Sequence, residues 1–220
     1  MLTIVRGFRR VTGESRNGWR LLRRRNMSWT ERLFVRAKHW QIFLLFVVVL
    51  AVGEFPVIGN LTTAAQSQES HAVVLVLTEI ATAVATWCFL LWLWSLGSFL
   101  TPVVPPALKL KKGFFLFTIL CSVIYAPVAI ALFQNIDRKL FIVAIPLHLF
   151  AVFCMFSNLY FVAEGLVTAE TGARPSFLDC LGPFLLLFFA IIGVWFIQPR
   201  INRLYAEKGS AGSAAEVTAI

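Results

Sequence analysis

At 220 residues, 59% hydrophobic and 14% charged, the chain is too apolar for a water-soluble domain, and the class it indicates is an all-α integral membrane helical bundle. Its formal net charge of +9 is unevenly placed: residues 1–38 hold eleven Lys and Arg against Glu14 and Glu31, which accounts for all of it. A basic block abutting an apolar span points to positive-inside retention and to anionic lipid headgroups, and against nucleic acid as a partner.

Residues 1–38 form the basic tail. Met1, Ile4, Val5, Phe8 and Val11 recur at helical spacing opposite Arg6, Arg9 and Arg10, the pattern of a short amphipathic helix lying on an anionic surface. Gly13, Asn17 and Gly18 interrupt it, so a disordered basic tail is the alternative. Arg23, Arg24 and Arg25 are the densest cations and the expected headgroup contacts, joined near the other end of the chain by Arg200 and Arg203. A start at Met27 would leave only Arg32, Arg36 and Lys38 of this charge. A cleaved signal peptide is not expected, because the basic region is too long and no small-residue cleavage site follows the apolar run.

Residues 39–203 predict a single transmembrane domain of five spans. The first, 40–58, has 19 residues, enough at about 1.5 Å per residue to cross a hydrocarbon core of about 30 Å. Lys38, His39 and Trp40 sit at its near interface; Gly53, Glu54 and Pro56 lie near its far end. The following connection lacks Lys and Arg and carries the sequon Asn60-Leu61-Thr62. The second span, 73–100, has 28 residues and must tilt or protrude. Pro102, Pro105, Pro106 and three lysines then end it and mark a retained side. Span three, 114–133, contains Pro127, which predicts a kink rather than a stop. A six-residue connection makes it the antiparallel neighbour of span four, 140–162. Ser176 and Asp179 have capping-box spacing and open span five, 177–197. Residues 204–220 predict a disordered tail. No internal repeat appears, so an inverted-repeat transporter is not indicated.

With the amino terminus inside, this arrangement puts fifteen Lys and Arg on the inner side and five outside, or seven against five from Met27. The basic stretch 200–208 also favours the inner side, which an odd number of spans forbids.

The intramembrane polar residues supply the candidate site. Glu54, Glu79 and His148 fall in the outer half of the membrane, at levels within roughly 5 Å of one another by helical rise. Two carboxylates and an imidazole could bind a proton or cation there, with His148 as the proton-exchanging member. The structural alternative has Glu54 reaching the outer headgroups, Glu79 protonated or bonding Thr82, and His148 bonding a carbonyl freed near Pro146. A zinc site that adds His71 lacks ligand spacing on any one helix, so no metal is expected. Thr82, Thr86, Asn158 and Asp179 are expected to make helix–helix hydrogen bonds or caps. Trp40, Trp92, Trp94 and Trp195 are placed in an aromatic belt, and Cys88, Cys121, Cys154 and Cys180 serve as small buried hydrophobes. No nucleophile elbow, phosphate loop or nucleotide fingerprint appears, so no cofactor is expected and catalysis is disfavoured.

Three pieces, Lys38-His39-Trp40-Gln41-Ile42-Phe43, Ile145-Pro146-Leu147-His148-Leu149-Phe150 and Gly193-Val194-Trp195-Phe196-Ile197-Gln198-Pro199-Arg200-Ile201-Asn202, resemble a group of small bacterial multi-pass membrane proteins with no assigned activity. The group typically carries an acidic residue and Phe-Pro in its last span; here Pro183 and residues 190–192 occupy that region. The long tail before Lys38 also departs from it and favours the Met27 start. The resemblance implies a bacterial cytoplasmic-membrane protein and draws attention to His148 and Arg200, but it supplies no substrate. Two function classes remain: a non-catalytic partner or assembly subunit, working with a membrane-protein partner or with copies of itself, and a small ion or solute transporter using Glu54, Glu79 and His148.

Overall fold

The computed structural model describes residues 29–48, 51, 68–108, 110–134 and 138–217, and among them it is helical with no strand. In chain order the helices are α1 Trp29–Arg36, α2 His39–Val48, α3 Gln68–Leu100, α4 Lys112–Gln134, α5 Arg138–Thr171, α6 Phe177–Phe188 and α7 Ala190–Val217. A short 3-10 turn, Pro106–Leu108, separates α3 from α4. In hydrocarbon every backbone N–H and C=O must be satisfied within the chain, and the helix does this segment by segment. Among the described residues three stretches are long and apolar enough to cross a membrane: Thr78–Leu100, Lys112–Ala129 and Ile142–Thr171. Pro127 lies inside a continuous helix and does not stop it, as expected, and Pro146 likewise lies inside α5.

The expected fifth span, 177–197, is not one helix. The capping box forms as predicted: the Ser176 hydroxyl accepts from the Asp179 N–H and the Asp179 carboxylate accepts from the Ser176 N–H. The helix it starts, however, stops at Phe188, and the chain turns on Phe189, whose N–H bonds the Leu185 carbonyl and whose carbonyl receives the N–H groups of Ile192 and Gly193. Phe177 of α6 stacks on Tyr160 of α5, and Phe184 and Phe188 reach Phe156. The returning α7 brings Arg200 to Glu170 near the end of α5. The pair α6–α7 therefore enters and leaves at one end of the bundle. Its twelve-residue first arm rises about 18 Å, roughly half of a 30 Å hydrocarbon core. This removes the conflict posed by Arg200 and Arg203, which sit at the same end as Lys111 and Arg174 instead of opposite them.

What permits the reversal is a missing side chain. A Cβ on Gly193 would lie 1.6 Å from the Leu186 carbonyl oxygen, so the arms can close at the tip only with glycine there. Two other boundaries differ from expectation. α5 continues past Val162 to Thr171 because Ala163, Leu166 and Val167 remain buried against the bundle, and it ends on Gly172 at φ +67°, a left-handed cap. α7 runs to Val217 where the composition predicts disorder.

The second half of α3 is the axis of this end. Leu90, Trp92, Leu93, Leu96, Phe99 and Leu100 are buried around its circumference, enclosed by α1, α4 and α5. Trp92 is wholly buried and belongs to this core, not to an aromatic belt; only Trp40 and Trp195 of the four expected belt residues are well exposed. Trp94, Phe115 and Phe161 stack as one column across α3, α4 and α5, with centroid spacings of 6.0 and 4.3 Å. Phe115 lies over Gly97, where a Cβ would come within 2.5 Å of the ring.

Gly193→Ala should therefore lower the detergent-solubilised melting temperature sharply, by overpacking worth about 3 kcal/mol or more. Gly182→Ala, in open space, should be neutral or slightly stabilising. Paired topology reporters placed after Ile220 and after Lys111 should report the same side of the membrane. Opposite sides would show that α6 and α7 cross it together.

Candidate functional site

Two polar assemblies stand out in an otherwise apolar bundle. The first is the seam between α4 and α5. Thr118, Ser122 and Tyr125 recur along one face of α4, opposite Asn158 and His148 on the antiparallel α5. The Thr118 hydroxyl meets Asn158 Oδ1 at 2.6 Å, Asn158 Nδ2 donates to Ser122 Oγ at 3.3 Å, and Ser122 donates back to the Thr118 carbonyl at 2.9 Å. All three side chains are buried, and each one satisfies another across the helix pair. Further along the seam Tyr125 Oη and His148 Nδ1 are hydrogen-bonded at 2.7 Å.

The second assembly joins α7 to the turn between α1 and α2. The last carbonyls of a helix have no partner in the helix itself. Gln198, wholly buried, donates its amide to the carbonyls of Phe34 at 2.8 Å and Ala37 at 3.1 Å, and Asn202 donates to Ala37 at 3.3 Å. The Gln198 oxygen accepts from the Trp92 indole at 3.4 Å, so one side chain ties α1, α3 and α7 together. One residue pair further along, Arg200 binds Glu170 through two parallel contacts, Nε to Oε1 at 2.8 Å and the terminal nitrogen to Oε2. The geometry is the planar fork that arginine, unlike lysine, provides.

The expected site residues divide as follows. Glu54 and Arg23, Arg24 and Arg25 lie outside the described residues. Glu79 is half-buried on α3. Counted from the point where Gly165 meets Leu100, it stands four residues beyond His148, about 6 Å along the axis. His148 takes Tyr125 as a partner, a hydroxyl that the hydropathy pattern does not single out. Thr82 and Thr86 do not bridge helices through their hydroxyl protons: these go to the carbonyls of Thr78 and Thr82, four residues back in α3, the usual refuge of a helical hydroxyl in an apolar medium. Asp179 is spent on its own cap. Asn158 alone of the expected contacts reaches another helix. Arg203 faces Glu207 at 3.6 Å with both side chains well exposed, a pair worth little.

Gln198 is the residue that sequence reasoning missed. It lies in the Gln-Pro-Arg-Ile-Asn piece, where Arg200 drew attention because it is charged. The better signal was an uncharged donor beside Pro199 at the end of an apolar run.

Chemically, the clasp holds helices and has no open coordination or nucleophile, while the Tyr125–His148 pair can hold or pass a proton. Gln198→Leu keeps the volume and removes the donors. It should expose the joint at 34–38 to protease and destabilise the fold by about 2 kcal/mol, because the Phe34 carbonyl loses its donor and Ala37 keeps only Asn202. Asn158→Leu should cost less, about 1 kcal/mol, as interhelical bonds in a membrane usually do. Unchanged cleavage in the Gln198 variant would show that the clasp does not hold the joint. Set against protein-family models, curated proteins and solved structures, the chain matches none of them.

Proposed function

We propose that the protein is a non-catalytic subunit of the bacterial cytoplasmic membrane, amino terminus inside, that recognises other membrane helices through the outer half of α5. The observation that carries this is exposure. Ile142, Val143, Ile145, Leu147, His148, Leu149 and Phe150 all face outward, so that Ala144 is the one buried residue from 142 to 150. A pathway for an ion or solute needs walls around it. A helix bare on nearly every side is suited to being wrapped by another protein, a second copy, or lipid. The buried polar groups support the same reading, since Asn158, Thr118, Ser122 and Gln198 are engaged in holding helices to one another.

The transporter reading is supported by the Tyr125–His148 bond, a pair that can hold an exchangeable proton within the bundle. Liposome flux separates the two. In a subunit, purified wild-type protein should carry no more pH-dependent flux than empty liposomes, and Glu79→Gln should leave its assembly state unchanged. Flux in the wild type that His148→Ala abolishes would make the protein a transporter and overturn the subunit reading.

A further inference from the structure

At the closed end of the bundle α1 presents Trp29 and Leu33 outward, 71% and 49% exposed, and the start of α2 adds Trp40 at 45%. Spaced by four and then seven residues, these side chains mark an apolar stripe that continues across the turn. Beside it stands Trp195 of α7, 44% exposed, with its ring 4.7 Å from His39 and 5.4 Å from Phe43. Tryptophans with one side in apolar surroundings and one at a polar boundary settle at the headgroup level. Arg36 and Lys38 are exposed within the same turn.

The charges around this turn favour an anion. Among the described residues the acids near this turn are engaged, Glu170 with Arg200 and Glu207 with Arg203, and Arg36 and Lys38 carry the exposed charge of the turn itself. The carboxyl end of a helix would ordinarily repel an anion, but here the Gln198 and Asn202 amides cover the carbonyls of Phe34 and Ala37. The same bonds fix the turn against α7, so the two cations and three tryptophans keep one relative placement.

We propose that this joint, with Arg36, Lys38, Trp40 and Trp195 around it, binds the headgroup of an anionic phospholipid in the leaflet at the closed end of the bundle. The cations take the phosphate, and the tryptophans and Leu33 lie along the upper acyl chains. The site is separate from the outer half of α5 and stands whether or not that helix docks a partner.

The test is quenching of intrinsic tryptophan fluorescence in phosphatidylcholine vesicles containing either dibrominated phosphatidylglycerol or dibrominated phosphatidylcholine, using the full chain. Wild-type protein should be quenched by the anionic lipid at low mole fraction well beyond random mixing. Arg36→Gln/Lys38→Gln should lose about thirty-fold in relative lipid affinity, about five-fold for each cation. The charge-keeping exchange Arg36→Lys/Lys38→Arg should retain the preference, which also shows that the turn still folds. Lys111→Gln/Lys112→Gln, at the same end but away from the stripe, should behave as wild type. Equal quenching by the two lipids, an unchanged Arg36/Lys38 double variant, or equal losses in both double variants would each overturn the proposal, the last by showing only a general surface charge. Displacement by excess inorganic phosphate would overturn it too, reassigning the site to a small anion.

Discussion

The close approach of Gly193 to the Leu186 carbonyl is the constraint on which the rest of the bundle turns. It lets the chain reverse at Phe189 within an uninterrupted apolar run, and the reversal delivers residues 195–205 to the end where α1 begins. Arg200 then lies beside Glu170, Gln198 beside Ala37, and Tyr205 beside Phe99. A straight helix over 177–197 would carry Arg200 and Gln198 to the opposite end. Glu170 would then be an unpaired carboxylate and the last carbonyls of α1 would have no donors.

Polar groups at membrane depth are tolerated here because they come in matched sets. Asn158 offers a donor and an acceptor, and α4 answers with Ser122 and Thr118. Gln198 offers two donors and an acceptor, answered by two backbone carbonyls, Asn202 and an indole N–H. Among the described residues no buried side-chain nitrogen or oxygen lacks a partner. Such sets are directional where lipid-facing apolar surface is not, so they fix which helix faces meet and in what register, a task that hydrophobicity cannot perform between helices already in hydrocarbon.

Most of the architecture was legible in the sequence, and the failures have physical causes. Composition gave the class, and apolar run length located α3, α4 and α5. Pro127 was read correctly as no stop to its helix, and Ser176 with Asp179 marked the start of α6 to the residue. The break at Phe189 was not legible because no proline, glycine or polar residue stands there; the device that allows it is Gly193, four residues on, whose need is visible only when both arms are in place. One warning was available in the charge count, since Arg200, Arg203 and Lys208 sat on the wrong side of a five-span arrangement. Trp92 and Trp94 were placed at an interface from their distance to the helix end, whereas α1, α4, α5 and α7 close over that end, burying Trp92 wholly and Trp94 in part. The candidate site was legible in part. His148 and Asn158 were found because polar residues are rare in such runs, but their partners Tyr125, Thr118 and Ser122 are common in membrane helices and only the register of α4 against α5 selects them.

The two ends of the bundle differ in a way that bears on function. Around Leu100, Val162, Leu166 and Ile201 the helices enclose one another completely, whereas the α6–α7 tip lies at the level of Phe156 and residues 142–150 of α5 are exposed except for Ala144. A fold that only had to be stable in lipid would gain from extending the fifth segment across the bilayer, where Phe189 and Ile192, now exposed, could pack on α5. The chain turns back instead, and the closed end, fastened by Gln198 and the Arg200–Glu170 pair, is the part of the bundle whose helix register is set by directional bonds.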